Sequence, residues 1–136
     1  TFEGTDSTTM TFPPTSTSIA GLAVAQTFTK AQSVAPVSLT STSNSVAVDA
    51  SLSNNFLHAL TEDTTLANPT NKVAGTTYIF EFIQGAVPKT LAFGSDFVWA
   101  GGTPLTITPV AFAKDVITSY YDGSELLTVI SGQDFS

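Results

Sequence analysis

One histidine, eleven carboxylates and four lysines are all that this 136-residue chain offers to acid–base, nucleophilic or metal chemistry, because cysteine and arginine are absent. His58 is the natural first candidate for a general base. It lies in an alternating run between Phe56 and Leu60, on the apolar side of an expected strand, and reads as a partly buried structural histidine. Serine is abundant, but there is no G-x-S-x-G elbow and no second histidine to build a nucleophile on. Glycan-cleaving enzymes need two carboxylates that share a groove. Glu62 and Asp63 are adjacent in an expected loop and would point to opposite sides. Glu81 stands mid-strand between Ile79 and Ile83, and is expected either to lie at a sheet edge or to meet a lysine or a threonine hydroxyl. Asp96, Asp115, Asp122 and Asp134 fall at turns or strand ends, where aspartate serves local capping. No calcium-loop pattern and no metal-ligand spacing is present. The chain thus reads as a non-enzyme with no cofactor and no metal.

Sugar recognition uses exposed aromatic rings, and Trp99, Tyr120 and Tyr121 are the candidates for glycan contact. The two tyrosines are neighbours in an expected strand, so one of them should face outward. All three rings would serve equally well in a core or a subunit interface.

Composition narrows the partners. Net charge is −7, and only 11% of residues are charged; polarity comes instead from 38 Ser and Thr. Lys30, Lys72, Lys89 and Lys114 are scattered among acids, which excludes a phosphate-binding face for nucleic acid. Anionic membrane surfaces would repel such a chain, and no apolar run approaches the ~18–20 residues of a spanning helix. The opening Thr1-Phe2-Glu3 has no basic region of a signal peptide; without an initiator Met the chain reads as a processed product or a piece of something longer.

The elements that must position these residues differ between two regions. Residues 1–44 are rich in Thr, Ser and Ala, with Pro13, Pro14 and Pro36 as breakers and few large apolar side chains. Ordering a residue costs roughly 1–2 kcal/mol of backbone entropy, which this stretch cannot offset alone. It is expected to be an extended N-terminal arm or linking segment, with short β-like pieces at Thr8–Phe12 and Gln32–Leu39 and helical turns at Ile19–Gln26. Phe2, Phe12, Leu22 and Phe28 would then be covered by neighbouring chains at an oligomer interface.

Residues 45–136 read as one all-β domain, an antiparallel β-sandwich or small barrel, since strand patterns recur every 8–12 residues or so between Gly and Pro punctuation. Strands are expected near Val46–Val48, at Asn55–Leu60, Thr76–Gln84, Lys89–Phe93 and Phe97–Trp99, and from Leu105. Thr76–Gln84 is apolar on both faces and is expected to be central and covered on both sides. A last hairpin joins Asp115–Tyr121 to Ser124–Ser131 through a two-residue Asp122-Gly123 turn of type I′, which would set Ser119 opposite Leu126 and Ile117 opposite Thr128.

A set of short motifs adds a family likeness: T-L-A-N-P-T-N (Thr65–Asn71), A-G-T-T-Y-I-F-E-F-I-Q (Ala74–Gln84), T-L-A-F-G-S-D-F (Thr90–Phe97) after Lys89, A-G-G-T-P (Ala100–Pro104), D-V-I-T-S-Y-Y-D-G (Asp115–Gly123) and Q-D-F (Gln133–Phe135). In this order and spacing they resemble a C-terminal β-domain of tailed-bacteriophage virion structural proteins, of tail-fibre, head-fibre or capsid-decoration type. Upstream, Met10–Leu22 and Ala25–Lys30 are similar to the short linking modules of such fibres. The resemblance implies an enzymatically inactive homotrimer on the virion surface, anchored by its N-terminal arm to capsid or tail proteins and displaying the β-domain outward. The alternative it leaves open is a host-glycan receptor-binding module of a tail fibre; a glycan depolymerase has no carboxylate pair to recommend it.

Overall fold

The structure is a computed structural model that describes residues 33–136. Ser33–Ser136 form a compact unit, and part of the stretch expected to belong to the arm lies in its sheets: Val37–Leu39 pairs with residues 56–58, and Ser41–Thr42 with Ser45–Val46. Ten strands are present: β1 (Val37–Leu39), β2 (Ser41–Thr42), β3 (Ser45–Val46), β4 (Asn55–Leu60), β5 (Thr64–Leu66), β6 (Thr77–Gln84), β7 (Leu91–Phe93), β8 (Phe97–Trp99), β9 (Lys114–Tyr121) and β10 (Leu126–Phe135), with one 3-10 turn at Ala100–Gly102. The expected pieces at Thr8–Phe12 and Ile19–Gln26, and the candidate interface residues Phe2, Phe12, Leu22 and Phe28, lie outside the described residues.

Two sheets are formed, in the orders β1-β4-β6-β9-β10-β8 and β2-β3-β5-β7. They are mixed, which corrects the antiparallel expectation: β1–β4, β4–β6, β3–β5, β5–β7 and β8–β10 pair in parallel, against antiparallel β2–β3, β6–β9 and β9–β10. The reason lies in the path of the chain. From β3 to β8 successive strands alternate between the sheets, so along β4 to β6 and β3 to β5 to β7 the chain re-enters a sheet running in the same direction. Parallel neighbours ordinarily need a helical crossover; here a strand of the other sheet makes the crossing.

Alternation of side chains sorts residues into the shared core. β6 buries Tyr78, Phe80, Phe82 and Gln84 on one side, and its neighbours supply Phe56, His58 and Leu60 from β4 and Asp115, Ile117 and Ser119 from β9. Phe80 stacks on Phe56 at a centroid distance of 5.3 Å and meets Phe97 edge-on at 5.9 Å. The second sheet adds Val46, Leu66 and Leu91 and, through Phe93, edge-to-face contacts with Phe82, Phe97 and Trp99, the last at 4.8 Å. Leu105 and Ile107 are buried in the same core, but they belong to an extended segment outside both ladders, so the strand expected from Leu105 is absent.

The turn between β9 and β10 differs from expectation in an instructive way. The loop between β9 and β10 holds four residues, with Leu126 opposite Tyr121 and Thr128 opposite Ser119. Asp122 Oδ1 accepts the N–H groups of Ser124 and Glu125 at 2.7 and 2.8 Å, which winds the loop beyond a two-residue turn. From Leu126 to Ile130 the register therefore slips by two places from the expected one, which keeps the alternation of faces, before a bulge between Ile130 and Gly132 shifts it again. The slip brings together the buried hydroxyls of Ser119 and Thr128, 3.0 Å apart, each of which would otherwise lack a cross-strand partner. A two-residue turn with positive φ at both positions occurs instead between β2 and β3, at Ser43 (φ 54°) and Asn44 (φ 60°).

β6 is central, between β4 and β9, yet the described residues cover only one of its faces. Ile79 is 40% exposed, while Glu81 and Ile83 beside it are half-buried. Truncation on the two faces should differ accordingly. Phe80→Ala should cost about 3–5 kcal/mol in urea unfolding followed by tryptophan fluorescence, and Ile79→Ala should cost the isolated subunit less than about 1 kcal/mol.

Candidate functional site

The sequence motifs of interest converge at two ends of the β-unit. At the first, Asn68, in the loop after β5, reaches the turn before β8: its Oδ1 accepts the Asp96 N–H and its Nδ2 donates to Ser95 Oγ, both at 3.0 Å. Gly94 is what lets the two loops approach. A Cβ there would lie 2.1 Å from Asn68 Oδ1 and 2.8 Å from the Asn68 backbone nitrogen, so only glycine fits. Lys72 closes the arrangement, donating from Nζ to Asp96 Oδ2 at 2.7 Å and to the Pro69 carbonyl at 2.6 Å, with its ammonium 5.3 Å from the centre of the Tyr121 ring. The Tyr121 hydroxyl donates to the Gly123 carbonyl at 2.9 Å, and Leu126 N–H donates to the Asp96 carbonyl at 2.8 Å.

At the other end two buried polar side chains hold loops to strands. Gln84 accepts the Lys89 N–H at 2.8 Å and donates from Nε2 to the carbonyls of Lys89 and Thr108 at 2.9 and 3.1 Å. Asp115 accepts from the backbone and hydroxyl of Thr108 at 2.5 and 2.9 Å and from the Asp134 N–H at 2.9 Å. Asp115 was expected to cap locally; it is instead a buried tie between distant segments. The signal was its position two before Ile117 on the inward side of β9, as Gln84 is two after Phe82 on β6.

The remaining chemical candidates are dispersed. His58 is buried in β4, and its Nδ1 lies 3.0 Å from the Leu39 carbonyl; Nε2 finds no hydrogen-bond partner among the described residues. Glu81 stands 3.6 Å from Lys114 on the open face of the larger sheet, the lysine partnership its pattern suggested. Asp63 Oδ1 accepts from the Thr90 N–H and hydroxyl at 2.8 and 3.0 Å, whereas Glu62 accepts from the Asn44 N–H, so the two acids face different segments. Among the described residues no group of three or more His, Asp or Glu could hold a metal ion, and no helix is long and apolar enough to cross a membrane. Of the three aromatic glycan candidates, Trp99 is in the core, Tyr121 is half-buried under Lys72, and Tyr120 is exposed on the opposite side of β9. The structure does not bring the three rings together.

Comparison of the chain with protein-family models, curated proteins and solved structures finds no match in any of the three. The geometry therefore has to be read in its own terms. Side-chain amides, carboxylates and hydroxyls, together with the Lys72–Asp96 ion pair, tie loops into place.

Three carboxylates, Asp63 and Asp122 exposed and Asp49 half-buried, carry a pH signature of this arrangement. Backbone N–H donors of Glu125 and Ser124 hold Asp122 below its ordinary value, those of Thr90 do so for Asp63, and the Asn71 amide followed by Ser51 does so for Asp49. A carboxylate with a lowered value in the fold contributes stability above its ordinary value, 3.8, and loses it as pH falls through the folded value. Urea midpoints should therefore hold steady from neutral pH down to about 5 and fall below about 4, with a shallower fall in Asp122→Ala. Gly94→Ala should destabilise by about 3 kcal/mol at neutral pH, read by the same denaturation; an unchanged midpoint would contradict the close approach.

Proposed function

We propose that the chain is a structural virion-surface protein of a tailed bacteriophage: a homotrimeric fibre or capsid-decoration component. In this reading its N-terminal arm anchors it to capsid or tail proteins, and its two sheets, packed as a sandwich, are displayed outward on the extracellular particle. It does no chemistry; its function is assembly and display. The observation that carries the reading is the use made of the motif residues behind the family resemblance. Asn68, Gln84, Gly94, Asp96, Asp115, Tyr121 and Asp122 all hold one backbone segment against another or shape a turn. A motif set devoted to architecture suits a building block.

The alternative, a host-glycan receptor-binding module, would rely on Tyr120, the exposed ring of the three candidates. A single exposed ring without a neighbouring aromatic is a weak sugar platform.

Light scattering on the intact chain and on a chain lacking residues 1–32 tests the reading. The intact chain should have three times the mass of one chain. Immunogold labelling of phage particles with an antibody to the β-unit should decorate their surface. A monomeric intact chain together with unlabelled particles would overturn the proposal. Strong binding on a glycan array, lost in Tyr120→Ala, would favour the alternative.

A further inference from the structure

The open face of the six-stranded sheet is the largest feature that the fold leaves unexplained. Register places its residues in continuous rows: Thr77, Tyr120 and Leu127 lie side by side across β6, β9 and β10, with Val98 of β8 next to Leu127, and Ile79, Thr118 and Val129 form the next row. Ile79, Tyr120, Leu127 and Val129 are each between 40% and 49% exposed. Four strands at a spacing of about 4.8 Å, and a β6 about 27 Å long, give a face on the order of 500 Å². Its apolar part, Ile79, Val98, Tyr120, Leu127 and Val129, has the size of a patch that on a single copy often marks an interaction site.

The geometry points to this face, formed by β6, β9, β10 and β8, as the contact between copies of the chain. The inference deepens the homotrimer reading above and rests on it. Charge selects a second copy as the occupant. The chain carries −7 overall, so two copies repel wherever their acids meet. Among the described residues the other acids lie in loops or turns, in the irregular end of β10, or, as Asp115, on the buried side of β9. The open face carries one acid, Glu81, and one base, Lys114, 3.6 Å apart. It is therefore neutral on a strongly acidic protein. It is also self-complementary, because each copy offers one partner of each sign to the next. A cationic protein partner would gain nothing from a neutral face.

The pattern of β6 agrees. Its sequence is apolar on both sides, as in a strand covered twice, and the described residues cover it once. A neighbouring copy supplies the second cover.

The test uses the full chain and two substitutions. Val129→Glu puts a charge at the centre of the face, on a side chain already half in solvent, and should weaken self-association at least tenfold by light scattering, with an unchanged far-UV circular dichroism spectrum. Val87→Glu, at an exposed site outside both sheets, should leave association unchanged. Since the chain has no cysteine, Val129→Cys also creates a unique thiol. A short bismaleimide should cross-link it into covalent dimers, and should fail with Val87→Cys. This second readout stands if Val129→Glu misfolds. An oligomer that persists in Val129→Glu, together with no cross-linking at residue 129, would overturn the face while leaving the homotrimer intact. A monomeric wild-type chain would overturn both.

Discussion

Tyr78, Phe80 and Phe82 occupy one side of β6, and the rest of the β-unit is arranged to cover that side. Because side chains alternate with a period of two, a slip of one residue would turn all three rings to solvent. The row therefore dictates the registers on both flanks of β6: Phe56 and His58 opposite Phe80 and Phe82 on β4, and Ile117 opposite Phe80 on β9. It also dictates where the second sheet must lie, since Phe93 has to reach Phe82, Phe97 and Trp99 together. The weaving of the chain between sheets follows from this need. Short strands such as β3, β5 and β7 bury little alone, and each becomes stable by packing across the core against the strands that precede and follow it.

The same economy explains the polar chemistry. A chain with four lysines can hold few of its loops by ion pairs, and among the described residues it forms only the Lys72–Asp96 pair between loops and the Lys114–Glu81 contact on the open sheet face. The loops are held by single amides and carboxylates that each satisfy several backbone groups, as Gln84, Asp115 and Asp122 do. Buried backbone N–H and C=O groups require partners, and these side chains provide them where the ladders end.

Much of this was legible in the pattern. Asn55–Leu60 is a strand with the expected bounds, and β6, β7, β8 and β9 lie within a residue or two of expectation, because each has alternation or β-branched and aromatic density between turn residues. β2 and β5 were not legible, being short and built from Ser, Thr and one Leu, with no periodicity to read. The hairpin illustrates the boundary between the two cases. Asp-Gly marks a turn correctly, but its length depends on what the Asp122 carboxylate accepts and on which buried hydroxyls must meet. Of the candidate site, Asn68 and Gln84 stand in the sequence only as members of longer motifs, and Asp115 reads there as a local cap. Their partners, most of them in other loops and some up to 28 positions away, were not legible.

By itself, then, the sequence determined the class of the protein: β-rich, acidic, cysteine-free, with an inner row of aromatics and an outer row nearly as apolar. Local periodicity and turn propensity suffice for that, because they act over a few residues. Only the tertiary structure decided that the sheets are mixed, that residues 37–42 join them, and that the described residues cover β6 on one face alone. Direction and cover depend on which distant segments arrive beside a strand. That is set by the packing of the whole core around Phe80 and Phe93, which no short stretch of the chain encodes.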